Sequence, residues 1–253
     1  MPGDPTASSR RAALDDLRDR VRECPRCAQP ATGRSTVVVG AGPADATLML
    51  VGRAPGTSEE RQGLPLVGEP ARLLDELLDG VGLRRADVYV TTVLKHRPPD
   101  HRDPTPDELD HGLEHLREQV EIVAPRVLCP LGELVTKLLR RDPEGIRTAH
   151  GRPEVCRVGD ATVRLLPLFD PAAALYRRSA VDALRADVAR LPELLALPAP
   201  RPIAGADRAT DPAPEDAGPG AGGDGRRGGD GPRADRADGD GPDDAGPVQL
   251  DLF

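Results

Sequence analysis

An α/β sandwich with a largely parallel sheet is predicted by three features of the chain. Short apolar runs end in glycine, they are continuous rather than alternating, and amphipathic helical segments separate them. Residues 1–10 are expected to be flexible. Residues 11–23 carry Leu14, Leu17 and Val21 at helical spacing and lead as a short helix into Cys24-Pro25-Arg26-Cys27. After an extended loop, Thr47-Leu48-Met49-Leu50-Val51-Gly52 has the pattern of a strand buried on both faces. The Gly/Pro-rich stretch 53–68 reads as a loop, residues 71–78 as a helix that stops at Gly80, and residues 87–94 as a second strand. Thr105 is the expected N-cap of a helix over 106–123, with Leu109, Leu113, Leu116 and Val120 on one face. Residues 126–132 form a third strand that runs into a helix over 133–140. A hairpin over 154–158 and 162–166 turns at Gly159-Asp160, and helices over 172–177 and 179–195 close the body.

Composition divides the chain. The formal net charge is -8, but residues 201–253 hold 12 acidic against 6 basic side chains, so the body is close to neutral and its charge does not exclude a nucleic-acid partner. From Ala204 to Pro247 there is no Leu, Ile, Val, Met or aromatic residue, so this stretch cannot bury enough apolar surface to offset its chain entropy. The expected organisation is one domain over 11–198, a disordered linker over 199–247, and a short apolar peptide over 248–253. Tryptophan is absent and the only aromatics are Tyr89, Phe169, Tyr176 and Phe253, so base stacking cannot be the main binding device. No run reaches the ~18 apolar residues of a membrane span. No signal peptide opens the chain, and the four cysteines are too few for a disulfide framework. A cytoplasmic monomer is expected.

The loops carry a resemblance. Gly52-Arg53-Ala54-Pro55-Gly56 with Glu59-Glu60 comes first, followed by Gly63-Leu64-Pro65-Leu66-Val67-Gly68. Val88-Tyr89-Val90-Thr91-Thr92-Val93-Leu94-Lys95-His96-Arg97-Pro98-Pro99, Leu131-Gly132 and Asp170-Pro171-Ala172-Ala173 follow in order. Together they resemble the iron–sulfur, family-4 type of uracil-DNA glycosylase over residues 20–196. The resemblance implies a three-layer α/β/α sandwich around a four-stranded parallel sheet, with a base pocket at the carboxyl ends of the strands. In that family the Gly-Glu-Ala-Pro-Gly loop shapes the pocket, an aromatic stacks on the base, an Asn reads the uracil edge, and a His donates to the departing base. Those four places hold Arg53, Leu66, Thr92 and Asp170 in this chain.

Each replacement bears on uracil chemistry. Leu66 lacks an aromatic face, forfeiting part of a stacking contribution of about 1–3 kcal/mol. Thr92 offers one hydroxyl in place of an amide's paired donor and acceptor. An ionised Asp170 would repel the anion that develops on uracil, and loss of one such donor costs about 2.7–4 kcal/mol. Asp170-Pro171 is equally an ordinary helix start, with Asp as N-cap and Pro at the first position. By resemblance Gly52, Ala54, Pro55, Gly56 and Leu66 would line the pocket. Arg147, Arg152 and Arg177 would flank it, as phosphate contacts or as solvated surface. His101 lies where a uracil-crosslinking branch of the superfamily has a nucleophilic His, but the Arg/Lys-rich insertion of that branch is missing.

The family's cluster is held by four cysteines. Cys24 and Cys27 match the first pair, the third place is His96, and the fourth is Gly112 with His111 one residue earlier. Two thiolates with two imidazoles suit zinc. A Cys24/Cys27/His96/His111 zinc site, with His115 as a second candidate, therefore stands beside a vestigial [4Fe–4S] position and beside no metal at all. At the other end, Gln249-Leu250-Asp251-Leu252-Phe253 looks like the peptide with which repair and replication proteins dock on the sliding clamp. Two functions remain open. One is a DNA-repair glycosylase with weakened, redirected or lost uracil excision; the other is a non-catalytic accessory that binds DNA or a partner.

Overall fold

A computed structural model describes residues 5–27, 36–99 and 102–203. Helix α1 (Ala7–Glu23) starts at Thr6, whose hydroxyl accepts from Ser9 N at 3.2 Å, so residues 7–10 are helical where flexibility was expected. It is followed by β1 (Leu48–Gly52), α2 (Thr57–Gln62), α3 (Gly68–Asp79), a 3-10 turn (Arg85–Asp87), β2 (Val88–Thr92) and α4 (Pro106–Val123). Next come β3 (Val127–Pro130), α5 (Glu133–Arg140), α6 (Ile146–Ala149), β4 (Glu154–Val158), β5 (Ala161–Leu165), α7 (Pro171–Ala174), α8 (Arg178–Val188) and α9 (Leu191–Ala196). The expected helix over 179–195 is two helices. Pro192 sits in the first turn of α9, where its missing N–H costs nothing, but it cannot continue α8.

The sheet has the order β2-β1-β3-β5-β4. The first four strands are mutually parallel, as the resemblance implies, and the predicted hairpin adds β4 as a fifth, antiparallel edge strand. Three layers result because β1 alternates its apolar side chains between two cores. Met49 and Val51 pack with Leu113, Leu116 and Val120 of α4 and Val135 of α5. Leu48 and Leu50 pack with Leu74 and Leu78 of α3, Leu184 of α8 and Leu191 of α9. Each such buried Leu or Val contributes about 1.5–3 kcal/mol, so both faces of the sheet hold the fold.

Helix α4 is the best specified by local sequence. Thr105 Oγ1 accepts from Glu108 N at 3.3 Å, Glu108 Oε2 accepts from Thr105 N at 2.8 Å, and Pro106 opens the first turn. Arg102 clamps the same carboxylate through two bonds of 2.7 Å, which holds Glu108 down at about 2. Among the described residues, no helix is long and apolar enough to cross a membrane.

Candidate functional site

Parallel strands deliver their carboxyl ends to one edge of the sheet. Gly52 ends β1 and Thr92 ends β2. Leu131 continues β3 and donates its N–H to Val51 O, while Gly132 N bonds to Leu168 O just before Asp170. Gly132 is required there on two counts: its φ is +83°, and a Cβ would lie 3.2 Å from Asp170 Cβ. Gly52, Ala54 and Gly56 are partly buried and Pro55 is buried. Gly56 is the N-cap of α2, and Glu59 of that helix accepts from Val67 N at 3.1 Å, tying the two glycine-rich loops together. The loop expectation for 53–68 missed α2 because its six residues have no buried apolar face.

The four replaced positions have defined partners. Asp170 is the N-cap of α7, and its Oδ1 accepts from Ala172 N at 2.8 Å. Burial pushes its carboxyl up, against the pull of the Ala172 N–H and of Arg53. Thr92 is buried and its Oγ1 donates to Leu94 O at 2.6 Å, so the hydroxyl is already engaged. Arg53 is held outward by an ion pair of 3.0 Å with Asp103. Leu66 adopts φ +54°, a left-handed conformation unusual for Leu, and packs partly buried against the α3-side core.

Arg147, Arg152 and Arg177 are exposed, Arg147 on α6 and Arg177 as the N-cap of α8. His150 is fixed by Asp187, with Nδ1 to Oδ2 at 2.8 Å, and packs on Phe169 with ring centroids 4.5 Å apart. Sequence reasoning passed over Tyr176, which is 89% exposed between α7 and α8 and next to Arg177. The available signal was its place in a chain with only two tyrosines. His101 and the clamp-like residues Gln249, Leu250, Leu252 and Phe253 lie outside the described residues.

A second cluster forms where α1 meets α4. Cys24 is the C-cap of α1, and the turn closed by Cys27 N to Cys24 O at 3.0 Å turns both thiols the same way. His111 and His115 are one turn apart on α4 and so share a face. Their ligand atoms and the two sulfurs all lie within 4.8 Å of one another. His111 Nε2 is 3.2 Å from Cys24 Sγ and 3.4 Å from Cys27 Sγ, and His115 Nε2 is 3.2 Å from Cys27 Sγ. Burial pushes the Cys27 thiol up to about 12, while burial and the neighbouring His111 hold His115 down at about 4. Of the expected donors, Cys24, Cys27 and His111 lie together, the second candidate His115 completes the group, and His96 is not within it.

A four-thiolate cluster does not fit these residues. At its third position, both ring nitrogens of His96 are buried without a hydrogen-bond partner among the described residues, with Nε2 4.0 Å from Glu108 Oε1. At its fourth, a Cβ on Gly112 would come within 2.7 Å of the Val93 carbonyl oxygen. Helix α4 thus approaches the exit of β2 too closely for any side chain at residue 112. A cavity of about 310 Å³ opens beside the group, lined by Cys27, Lys95, His96, Glu108, His111 and Gly112.

Comparison with known proteins agrees with the fold. A family profile described as Uracil DNA glycosylase superfamily matches residues 39–204. The type-4 uracil-DNA glycosylase of Archaeoglobus fulgidus is 36% identical over 187 residues, which cover 72% of this chain and 93% of the relative. That of Thermotoga maritima is 35% identical over 172 residues, covering 68% and 88%. The type-5 uracil-DNA glycosylase of Pyrobaculum aerophilum is 29% identical over 219 residues, covering 68% and 95%.

Proposed function

Because the chain belongs to the uracil-DNA glycosylase superfamily, we propose that it is a DNA-repair protein that holds an extruded base at the sheet edge but excises uracil slowly. The observation that carries this reading is Asp170. When the glycosidic bond breaks, its electron pair leaves on the base, and a donor aimed at that charge lowers the barrier. Asp170 stands at the donor's place as a helix-capping carboxylate whose Oδ1 is an acceptor. The engaged hydroxyl of Thr92 and the missing ring at Leu66 support the same reading, since neither reads nor stacks on uracil as an Asn and a Phe would. Arg147, Arg152 and Arg177 are exposed and suited to phosphate contacts.

A single-turnover assay on duplexes containing uracil, hypoxanthine or xanthine tests it. Abasic product from uracil should form at about 10²–10³ below the rate of a type-4 relative assayed alongside. Absence of product from all three bases, with duplex binding intact, would replace this reading by a non-catalytic DNA- or partner-binding accessory.

In the same proposal, residues 199–247 act as a tether and Gln249, Leu250, Leu252 and Phe253 dock on the sliding clamp, which raises the local concentration of the domain on replicating DNA. Deleting residues 248–253 should abolish capture by immobilised clamp while leaving single-turnover excision unchanged. Undiminished capture would refute the docking role.

A further inference from the structure

We propose that Cys24, Cys27, His111 and His115 form a closed tetrahedral zinc site that pins the end of α1 to α4, in place of the four-thiolate cluster that the chain cannot hold. The donor geometry supports this. Zinc with bonds of about 2.3 Å to sulfur and about 2.0–2.1 Å to nitrogen has sulfur–nitrogen edges near 3.6 Å. The three sulfur–nitrogen separations of 3.2, 3.4 and 3.2 Å reach that value with side-chain shifts of a few tenths of an ångström. Two residues separate the cysteines and three separate the histidines, which matches the ligand spacing of structural Cys₂His₂ zinc sites.

Outer contacts orient the donors. Glu114 Oε2 lies 3.2 Å from His111 Nδ1, so that nitrogen carries the proton and Nε2 presents its lone pair to the sulfurs. Leu17 and Val21 of α1 and an ion pair between Arg20 and Glu118 already bring the two helices into register. Two thiolates and two neutral imidazoles give a neutral site with Zn²⁺, and binding releases the two thiol protons to solvent. The chain supplies all four ligands, so no open position remains to activate water, and the role is structural. Neither the four donors nor the metal readouts involve Asp170, which keeps this inference separate from the proposed function.

Untagged protein, analysed by elemental mass spectrometry, should hold one zinc per chain without stoichiometric iron or sulfide. Cobalt(II) taken up by zinc-depleted protein should show the visible bands of a tetrahedral ion together with sulfur-to-metal charge transfer. His115→Asn and Cys24→Ser should lose the metal, His96→Asn should keep it, and Glu114→Gln should weaken zinc affinity about tenfold. If Cys24→Ser does not fold, cobalt binding by the wild type and by His115→Asn decides the matter. Three results overturn the proposal: folded wild type that takes up no zinc in excess, so that the contacts are only thiol–imidazole hydrogen bonds; brown protein containing iron and sulfide; or His96→Asn losing as much metal as His115→Asn.

Discussion

Replacing Asp170 by His should speed single-turnover uracil excision by about 10²-fold or more, since one donor at the developing anion is worth about 2.7–4 kcal/mol. The backbone is already in place. Asp170 Cβ sits against Gly132, so a longer side chain built from the same Cβ extends from the fixed edge where β3 and the segment after β5 meet. The same change removes the cap bond to Ala172 N and should cost about 1 kcal/mol of stability. Asp170→Asn separates charge from donation. It keeps an oxygen for the cap, removes the negative charge, and should fall between wild type and Asp170→His.

The carboxyl also sets a pH dependence. Burial raises its folded-state pKa, so the folded protein binds its proton more readily than the unfolded chain does. The stability that Asp170 contributes is therefore present in acid and is lost as pH rises through its folded pKa. Wild-type excision should increase as pH falls toward this raised pKa, because only the protonated acid can donate, and this rise should vanish in Asp170→Asn. An Asp170→His variant that folds, binds duplex and remains as slow as wild type would falsify the role given to this position.

Lys95→Ala should lower the free energy of unfolding by about 3–5 kcal/mol, measured by urea titration. Lys95 is 1% exposed, and its Nζ donates to Thr91 Oγ1 at 2.9 Å, Thr92 O at 2.5 Å and Gln119 Oε1 at 2.5 Å. Burial holds its amine down at about 7. Thr91 and Gln119 in turn donate to Val39 O at 2.6 and 2.8 Å. The network thus ties the end of β2, and with it Thr92, to α4 and to the segment before β1. Alanine would leave Thr92 O and Gln119 Oε1 without this donor and open a void where the butyl chain lay. Lys95→Met keeps most of the volume and should cost less. A loss below about 1 kcal/mol for Lys95→Ala would show that water replaces the amine at little cost.

Local sequence by itself determined most elements and several of their limits. The run ending at Gly52 is a strand because its side chains are apolar on both faces, and α4 begins at Pro106 because Thr105 and Glu108 satisfy the orphan N–H groups of its first turn. Asp170-Pro171 caps a helix for the same local reason. The Cys24–Cys27 pair was legible from its spacing, whereas the histidines were not fully so. Each step along α4 turns a side chain by about 100°, so matching residue 112 to the family's ligand could not reveal which face meets Cys24 and Cys27. Tertiary packing decided that. Gly112 faces the Val93 carbonyl, and His111 with His115 faces the thiols.

The buried amine of Lys95 was equally hidden, although it is one of only two lysines in the chain, because its partners come from β2 and from α4, 24 residues further on. The joining of the predicted hairpin to the sheet edge and the raised carboxyl of Asp170 have the same origin. Caps, turns and strand faces are determined by neighbours in the chain. Ligand sets, buried charges and shifted acids depend on which surfaces the packed layers bring together.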